Sequence, residues 1–178
     1  MHTSRNLART HLLKINFASR KERALLEMHE NGLVFLDSLK DLETILTTNE
    51  NFLLGRWLES AKALATNKHE RKLYEFNARN QLTLWGPDGE ILDYAGKQWS
   101  GMFQDYYIPR WQLFFKSLET SLVKGTRFNQ TRFINKFKKV LGKPFCLSTK
   151  SYPVKPSGDA VDIAVKLYQK WSLVFNDL

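Results

Sequence analysis

The chain has 178 residues, 43% of them hydrophobic and 13% aromatic, and a formal net charge of +9. That length and apolar content suit one domain with a packed core and exclude a disordered chain, while a single cysteine, Cys146, excludes an internal disulfide and a cysteine-built zinc site. The histidines His2, His11, His29 and His69 are scattered and no apolar run reaches membrane-span length, so no metal, cofactor or membrane partner is expected and the chain should be soluble.

The first 21 residues carry Arg5, Arg9, Lys14, Arg20 and Lys21 without an acid. With Ser4 and Ser19 they bear a faint likeness to an organellar transit peptide, but no apolar core of a secretory signal is visible. A helix is expected over Arg20 to Glu30, with Ala24, Leu25 and Met28 on one side, stopped by Asn31-Gly32. From Leu33 to Leu46 the apolar residues Leu36, Leu39, Leu42, Ile45 and Leu46 recur at helical spacing. Thr47 and Glu50 form a capping-box pattern announcing a helix to about Ala65, which would bury Leu54, Trp57, Leu58, Ala61 and Leu64 and use Gly55 for a close approach. The two segments read as a helical hairpin.

A third helix is expected over His69 to Leu84, with Leu73, Phe76 and Leu84 on its apolar stripe. Its polar end, Glu75, Asn77, Arg79, Asn80 and Gln81, suits either a polar cavity or solvent. Trp85-Gly86-Pro87-Asp88-Gly89 is a strong turn signal, after which Asp93 is placed to cap a helix over Tyr94 to Ile108. This joint brings Trp85, Ile91 and Tyr94 together, and spacing alone makes them a hydrophobic plug under a hairpin, with a binding site as the alternative. Pro109 should break or kink the chain and sit in the first turn of a new helix ending near Gly125, and the seven aromatics from Trp99 to Phe115 have the spacing of core residues.

Between Glu119 and Asp159 there is no acid, while Lys124, Arg127, Arg132, Lys136, Lys138, Lys139, Lys143, Lys150 and Lys155 are all basic. Arg132 to Ser148 reads as an amphipathic helix or helix pair interrupted at Gly142-Lys143-Pro144. Its basic residues, Arg132, Lys136, Lys138, Lys139 and Lys143 among them, form either a solvated face or a polyanion site; the run matches no nucleic-acid module, so nucleic acid is not an expected partner. Asn129-Gln130-Thr131 matches a glycosylation acceptor pattern, a short match that chance also explains. A loop with Pro153 and Pro156 leads to a last helix from Asp159, packing Val161, Ala164, Val165, Tyr168 and Trp171 on the rest. Every strong period is helical, so the fold class is all-α: one multi-helix, bundle-like domain with helical hairpins.

Three stretches carry a resemblance. FLLGRWLESAKA (52–63), QLTLWGPDGEILDYAGKQ (81–98) and YYIPRWQLFF (106–115), continued by SYPVKPSGDAVDIAVKLY (151–168), resemble the C-terminal helical domain of the α-N-acetylglucosaminidases, which trim terminal N-acetylglucosamine from heparan sulfate in lysosomes. The resemblance covers residues 33–171 and divides the chain into an unmatched basic segment with a short helix, 1–32, and the helical domain, 33–178. It implies that both catalytic glutamates lie on a (β/α)₈ barrel outside this chain, that the barrel is its partner, and that Trp85, Ile91 and Tyr94 wall a pocket for a terminal N-acetylglucosamine. It also implies a lysosomal or secretory-pathway location. The chain is then expected to be a fragment, an alternative product or a separated domain, inactive alone. Glu75, Asp88, Glu90 and Asp93 are the local carboxylates, and none is assigned a catalytic role, because Asp88 and Asp93 have turn and cap explanations and Glu75 and Glu90 read as solvated acids. The alternative is a polyanion-binding helical module using residues 124–155.

Overall fold

The computed structural model describes residues 19–175, so the transit-like residues lie outside it except for Ser19 to Lys21. Ser19 opens α1 (Arg20–Leu46) with a capping box: its hydroxyl accepts from the Glu22 N–H, and the Glu22 carboxylate accepts from the Ser19 N–H. The stop expected at Asn31-Gly32 does not occur. Gly32 is buried, and a Cβ there would lie 3.5 Å from the Phe115 ring of α4 (Ile108–Lys124). Packing between the two helices outweighs the poor helix propensity of the pair.

The capping box expected at Thr47 and Glu50 is also absent. Thr47 closes α1, and the Asn49 side chain instead caps a single 3₁₀ turn, Glu50–Phe52. α2 (Leu54–Ala63) then packs on α3 (Lys68–Leu82), whose N-cap Asn67 accepts from the His69 and Glu70 N–H groups. The hairpin is thus α2 with α3, one step later in the chain than expected. Leu54 and Leu58 are buried as the spacing suggested, whereas Leu64 is exposed. Gly55 does serve a close approach, since a Cβ there would collide with the Pro153 carbonyl oxygen at 2.2 Å.

α3 buries a different stripe from the one its apolar residues suggest. Leu73 and Phe76 are exposed and, of the expected stripe, Leu84, just past the helix end, is buried, while the helix itself buries Ala78, Arg79 and Leu82. With Glu75 these stand at i, i+3, i+4 and i+7, so the core-facing stripe carries an ion pair. Arg79 Nη2 lies 2.7 Å from Glu75 Oε1 and donates to the Lys150 carbonyl at 2.7 Å. The Arg79 guanidinium also lies over the rings of Phe145 and Tyr152. Glu75 is therefore not a solvated acid: its side chain is 13% exposed, and its second oxygen faces Lys62.

No helix forms from Tyr94 to Gly101, and the chain becomes helical only at Met102. The expected cap, Asp93, takes a left-handed φ of 55°. Glu43 of α1 provides the cap from 58 residues away, accepting from Ser100 Oγ at 2.9 Å, the Gly101 N–H at 2.8 Å and the Gln104 N–H at 3.3 Å. A π-turn, Phe103–Tyr107, leads directly into α4 with Pro109 in the first turn, where its missing N–H costs little. Gly125, at φ 63°, ends α4.

The basic stretch folds as α5 (Gln130–Phe137), a π-turn (Lys138–Gly142) and α6 (Lys143–Leu147); Gly142 and Lys143 keep helical dihedrals, so in place of the interruption expected at Gly142-Lys143-Pro144 the helix runs on through a π-turn that ends at Gly142. Asp159 caps α7 (Ala160–Phe175). Of the residues expected to pack, Trp171 is partly covered but Val161, Ala164, Val165 and Tyr168 are exposed, and Ile163 and Leu167 face inward in their place. What fixes its rotation is polar. Trp171 Nε1 donates to Asp41 at 2.9 Å, and Lys170 bridges Asp37 and Asp41 at 2.6 Å each. The described residues contain no strand beyond one isolated bridge, Leu53 to Ser100, and the architecture is all-α. Its core joins Leu54 and Leu58 to Leu82, Met102, Tyr106 and Phe137, and the seven aromatics from Trp99 to Phe115 are all buried or half-buried.

Candidate functional site

The loop from Thr83 to Gly96 is closed at its neck by the Asp93 N–H donating to the Thr83 carbonyl at 2.8 Å. Inside it the Trp85 carbonyl accepts from the N–H groups of both Glu90 and Ile91, forming a π-turn over Trp85–Gly89. Gly86 stands at φ 100°, ψ 163°, a conformation open almost only to glycine. Four backbone positions thus hold positive φ values in one short loop, Gly86, Gly89, Gly96 and the non-glycine Asp93.

This geometry brings Trp85 and Tyr94 face to face, with ring centroids 4.9 Å apart and planes 16° from parallel. The pair is not a buried plug. Trp85 is 39% exposed, Tyr94 56% and Ile91 49%, so the loop presents apolar surface outward that a core would have hidden. Trp85 also borders a groove of about 730 Å³ between α2 and α3, lined by Trp57, Tyr74, Asn77, Asn80 and Gln81 among others. The polar end of α3 therefore divides: its amides face this groove, whereas Glu75 and Arg79 turn inward.

The loop is held from beneath on two sides. Asp93 forms an ion pair with Arg110 of α4, whose guanidinium lies 5.6 Å from the ring centre of Tyr106, 5.5 Å from Tyr107 and 5.7 Å from Phe137. Burial raises the Tyr106 phenol well above its ordinary pKa, and the charge of Asp93 adds to that. The same causes push Tyr107 up to about 12. Burial works against the Arg110 charge, but hydrogen bonding to Asp93 and its charge outweigh it and hold the guanidinium ionised. On the other side Lys138 Nζ donates to the Asp88 carbonyl at 3.0 Å. Gly142 leaves room for Leu84 at the loop's base, because a Cβ there would lie 2.8 Å from Leu84 Cδ2.

Of the local carboxylates, Asp93 is engaged with Arg110 rather than serving as a cap, Glu75 lies in the Arg79 network, and the Glu90 carboxylate accepts from the Asp88 N–H at 3.3 Å. Of the basic candidates, Arg132, Lys136, Lys139 and Lys143 are exposed, while Lys138 is half-buried against the loop. Asn129 caps α5 through its side-chain oxygen. Among the described residues no group of three His, Cys, Asp or Glu comes together in a way that could hold a metal ion. Sequence reasoning missed Arg110, whose partners lie 17 residues upstream and on two other segments. The one available signal was an arginine set among aromatics in YYIPRWQLFF.

The described residues thus define an all-α helical domain that carries an outward-facing aromatic pair on a closed loop. A family model described as the alpha-N-acetylglucosaminidase (NAGLU) C-terminal domain matches residues 2–170, and the chain belongs to that family. The match starts upstream of residue 33. Human alpha-N-acetylglucosaminidase is 45% identical over 152 residues, which is 85% of this chain and 20% of the human protein. A family 89 glycoside hydrolase from Clostridium perfringens, solved in complex with 2-acetamido-1,2-dideoxynojirmycin, superposes with a TM-score of 0.65 at 25% identity, over 84% of this chain and 19% of that one. The same hydrolase in complex with PUGNAc gives a TM-score of 0.63 at 26% identity, over 84% and 18%. The chain thus spans about one fifth of the length of these relatives.

Proposed function

We propose that this domain packs against the catalytic barrel of an α-N-acetylglucosaminidase and supplies one wall of the pocket for a terminal α-linked N-acetylglucosamine, with Trp85, Ile91 and Tyr94 as the wall and no catalytic residue of its own. The observation that carries the reading is the exposed Trp85–Tyr94 stack on a loop whose backbone is closed and strained. An indole or phenol face packs well against the apolar C–H face of a sugar, and a hydroxyl such as that of Tyr94 can orient it by a hydrogen bond. The relatives support the substrate class, since the bacterial hydrolase was solved with a 2-acetamido sugar mimic. On this reading the chain alone is inactive, its larger setting degrades heparan sulfate, and it works in the lysosome. Among the described residues no helix is long and apolar enough to cross a membrane.

The experiment joins this chain to the catalytic region of a family enzyme and measures binding of 2-acetamido-1,2-dideoxynojirimycin. Trp85→Ala should weaken binding roughly tenfold, the scale of one lost stacking contact. Unchanged affinity in a folded variant would remove Trp85 from the pocket. We read the basic run as a solvated helix face, because Lys138, near its centre, directs its ammonium to the Asp88 carbonyl rather than outward. Heparin affinity that fell steeply with salt and depended on Lys136 and Lys139 would instead favour a polyanion site.

A further inference from the structure

The loop that presents Trp85 and Tyr94 rests on the domain core only through Leu84, Leu92 and Ala95, yet its backbone holds four positive-φ residues, Gly86, Gly89, Asp93 and Gly96, and an ordered ring stack. Something outside the loop must keep it in that shape, and two side chains from distant parts of the chain reach it. Arg110 pairs with the Asp93 carboxylate at the neck, and Lys138 donates to the Asp88 carbonyl near the tip. Both grips stem from π-turns. Tyr106 and Tyr107, on which the Arg110 guanidinium rests, belong to the Phe103–Tyr107 π-turn, and Lys138 begins the π-turn whose last residue, Gly142, admits Leu84. A π-turn inserts a residue into a helix and re-aims the side chains around it, and such turns are concentrated at functional sites.

We infer that Arg110 and Lys138 are positioning residues: they clamp the 84–96 loop from two sides and hold the Trp85–Tyr94 face in its presenting geometry. The inference rests on the reading of that face as a pocket wall. The two clamps differ in kind. Arg110 is a planar cation held between a carboxylate and three rings, a role lysine cannot fill, whereas Lys138 is a point donor to a carbonyl that arginine can replace.

Hydrogen exchange of the 178-residue chain, followed by peptide, tests the clamp without any activity. In Arg110→Lys and in Lys138→Met the amides of 84–96, those of Ile91 and Asp93 among them, should exchange roughly tenfold faster, the scale of one lost charge-assisted hydrogen bond. The α2–α3 hairpin should stay protected, and Lys138→Arg should retain the loop's protection. Joined to a family catalytic region, both clamp variants should raise KM for an aryl α-N-acetylglucosaminide several-fold with a smaller change in kcat. Unaltered exchange in 84–96 would overturn the clamp, as would an equal rise throughout the chain, which marks a merely structural role. Should Arg110→Lys fail to fold, Lys138→Met decides alone. If the loop loosens while Trp85→Ala leaves KM untouched, the clamp stands and the pocket-wall reading falls.

Discussion

Arg79 shows how much of this domain turns on single side chains that composition conceals. Its side chain is fully buried, paired with Glu75 and packed over Phe145 and Tyr152. Breaking a buried pair from one side strands the other charge, so Arg79→Ala should cost about 3–5 kcal/mol in chemical denaturation. Replacing both Arg79 and Glu75 by leucine should recover most of that loss, and a double variant as unstable as the single one would contradict the account. Nothing in the sequence marks Arg79 apart from Arg71, which is exposed, because burial of a charge is decided by partners 71 residues away at Lys150 and 66 away at Phe145. Trp85 and Tyr94 were legible for the opposite reason. The turn residues between them, Gly86 and Gly89 among them, are local and bring the two rings near each other, whereas the grips of Arg110 and Lys138 that hold the loop come from distant segments and were not legible.

At the scale of elements, two glycines in helices act in opposite directions. Gly32→Ala places its Cβ in ordinary contact with Phe115 and removes a flexible residue from the middle of α1, so it should stabilise by about 0.5–1 kcal/mol. Gly55→Ala drives a Cβ into the carbonyls of Tyr152 and Pro153, and should destabilise by about 1–3 kcal/mol despite the better helix former. Thermal unfolding of the pair checks both signs, and two variants shifted the same way would contradict the packing. Helix existence was readable wherever apolar spacing was strong, as in α2 and α4. Helix ends and faces were not: α1 continues through Asn31-Gly32 because α4 covers Gly32, the helix at Met102 is capped by Glu43 from α1, and α7 is rotated by the polar grip of Asp41 on Lys170 and Trp171. Each is a tertiary contact that overrides a local signal.

At the scale of the whole molecule, the buried phenols set an alkaline limit. Tyr106, Tyr107 and Tyr152 are all pushed above the ordinary phenol value of 10.0, chiefly by burial, and Tyr107 reaches about 12. A phenol whose pKa is raised on folding contributes stability that is complete below the unfolded value and lost as pH climbs through the folded one. The melting temperature should therefore be insensitive to these groups below pH 10 and fall steadily from pH 10 to 12. A midpoint that held constant to pH 12 would contradict their burial.

The central claim is that this helical domain walls a sugar pocket through the Trp85–Tyr94 face, and kcat/KM tests it most directly. With the chain joined to a family catalytic region, wild type, Tyr94→Phe and Trp85→Ala are compared on an α-linked N-acetylglucosaminide, each first shown to be folded by its unchanged helical circular dichroism. Tyr94→Phe keeps the stack and should lose less than Trp85→Ala, which should lose roughly tenfold to a hundredfold, the scale of a misplaced substrate with the chemistry intact. A folded Trp85→Ala protein with full kcat/KM would contradict the claim.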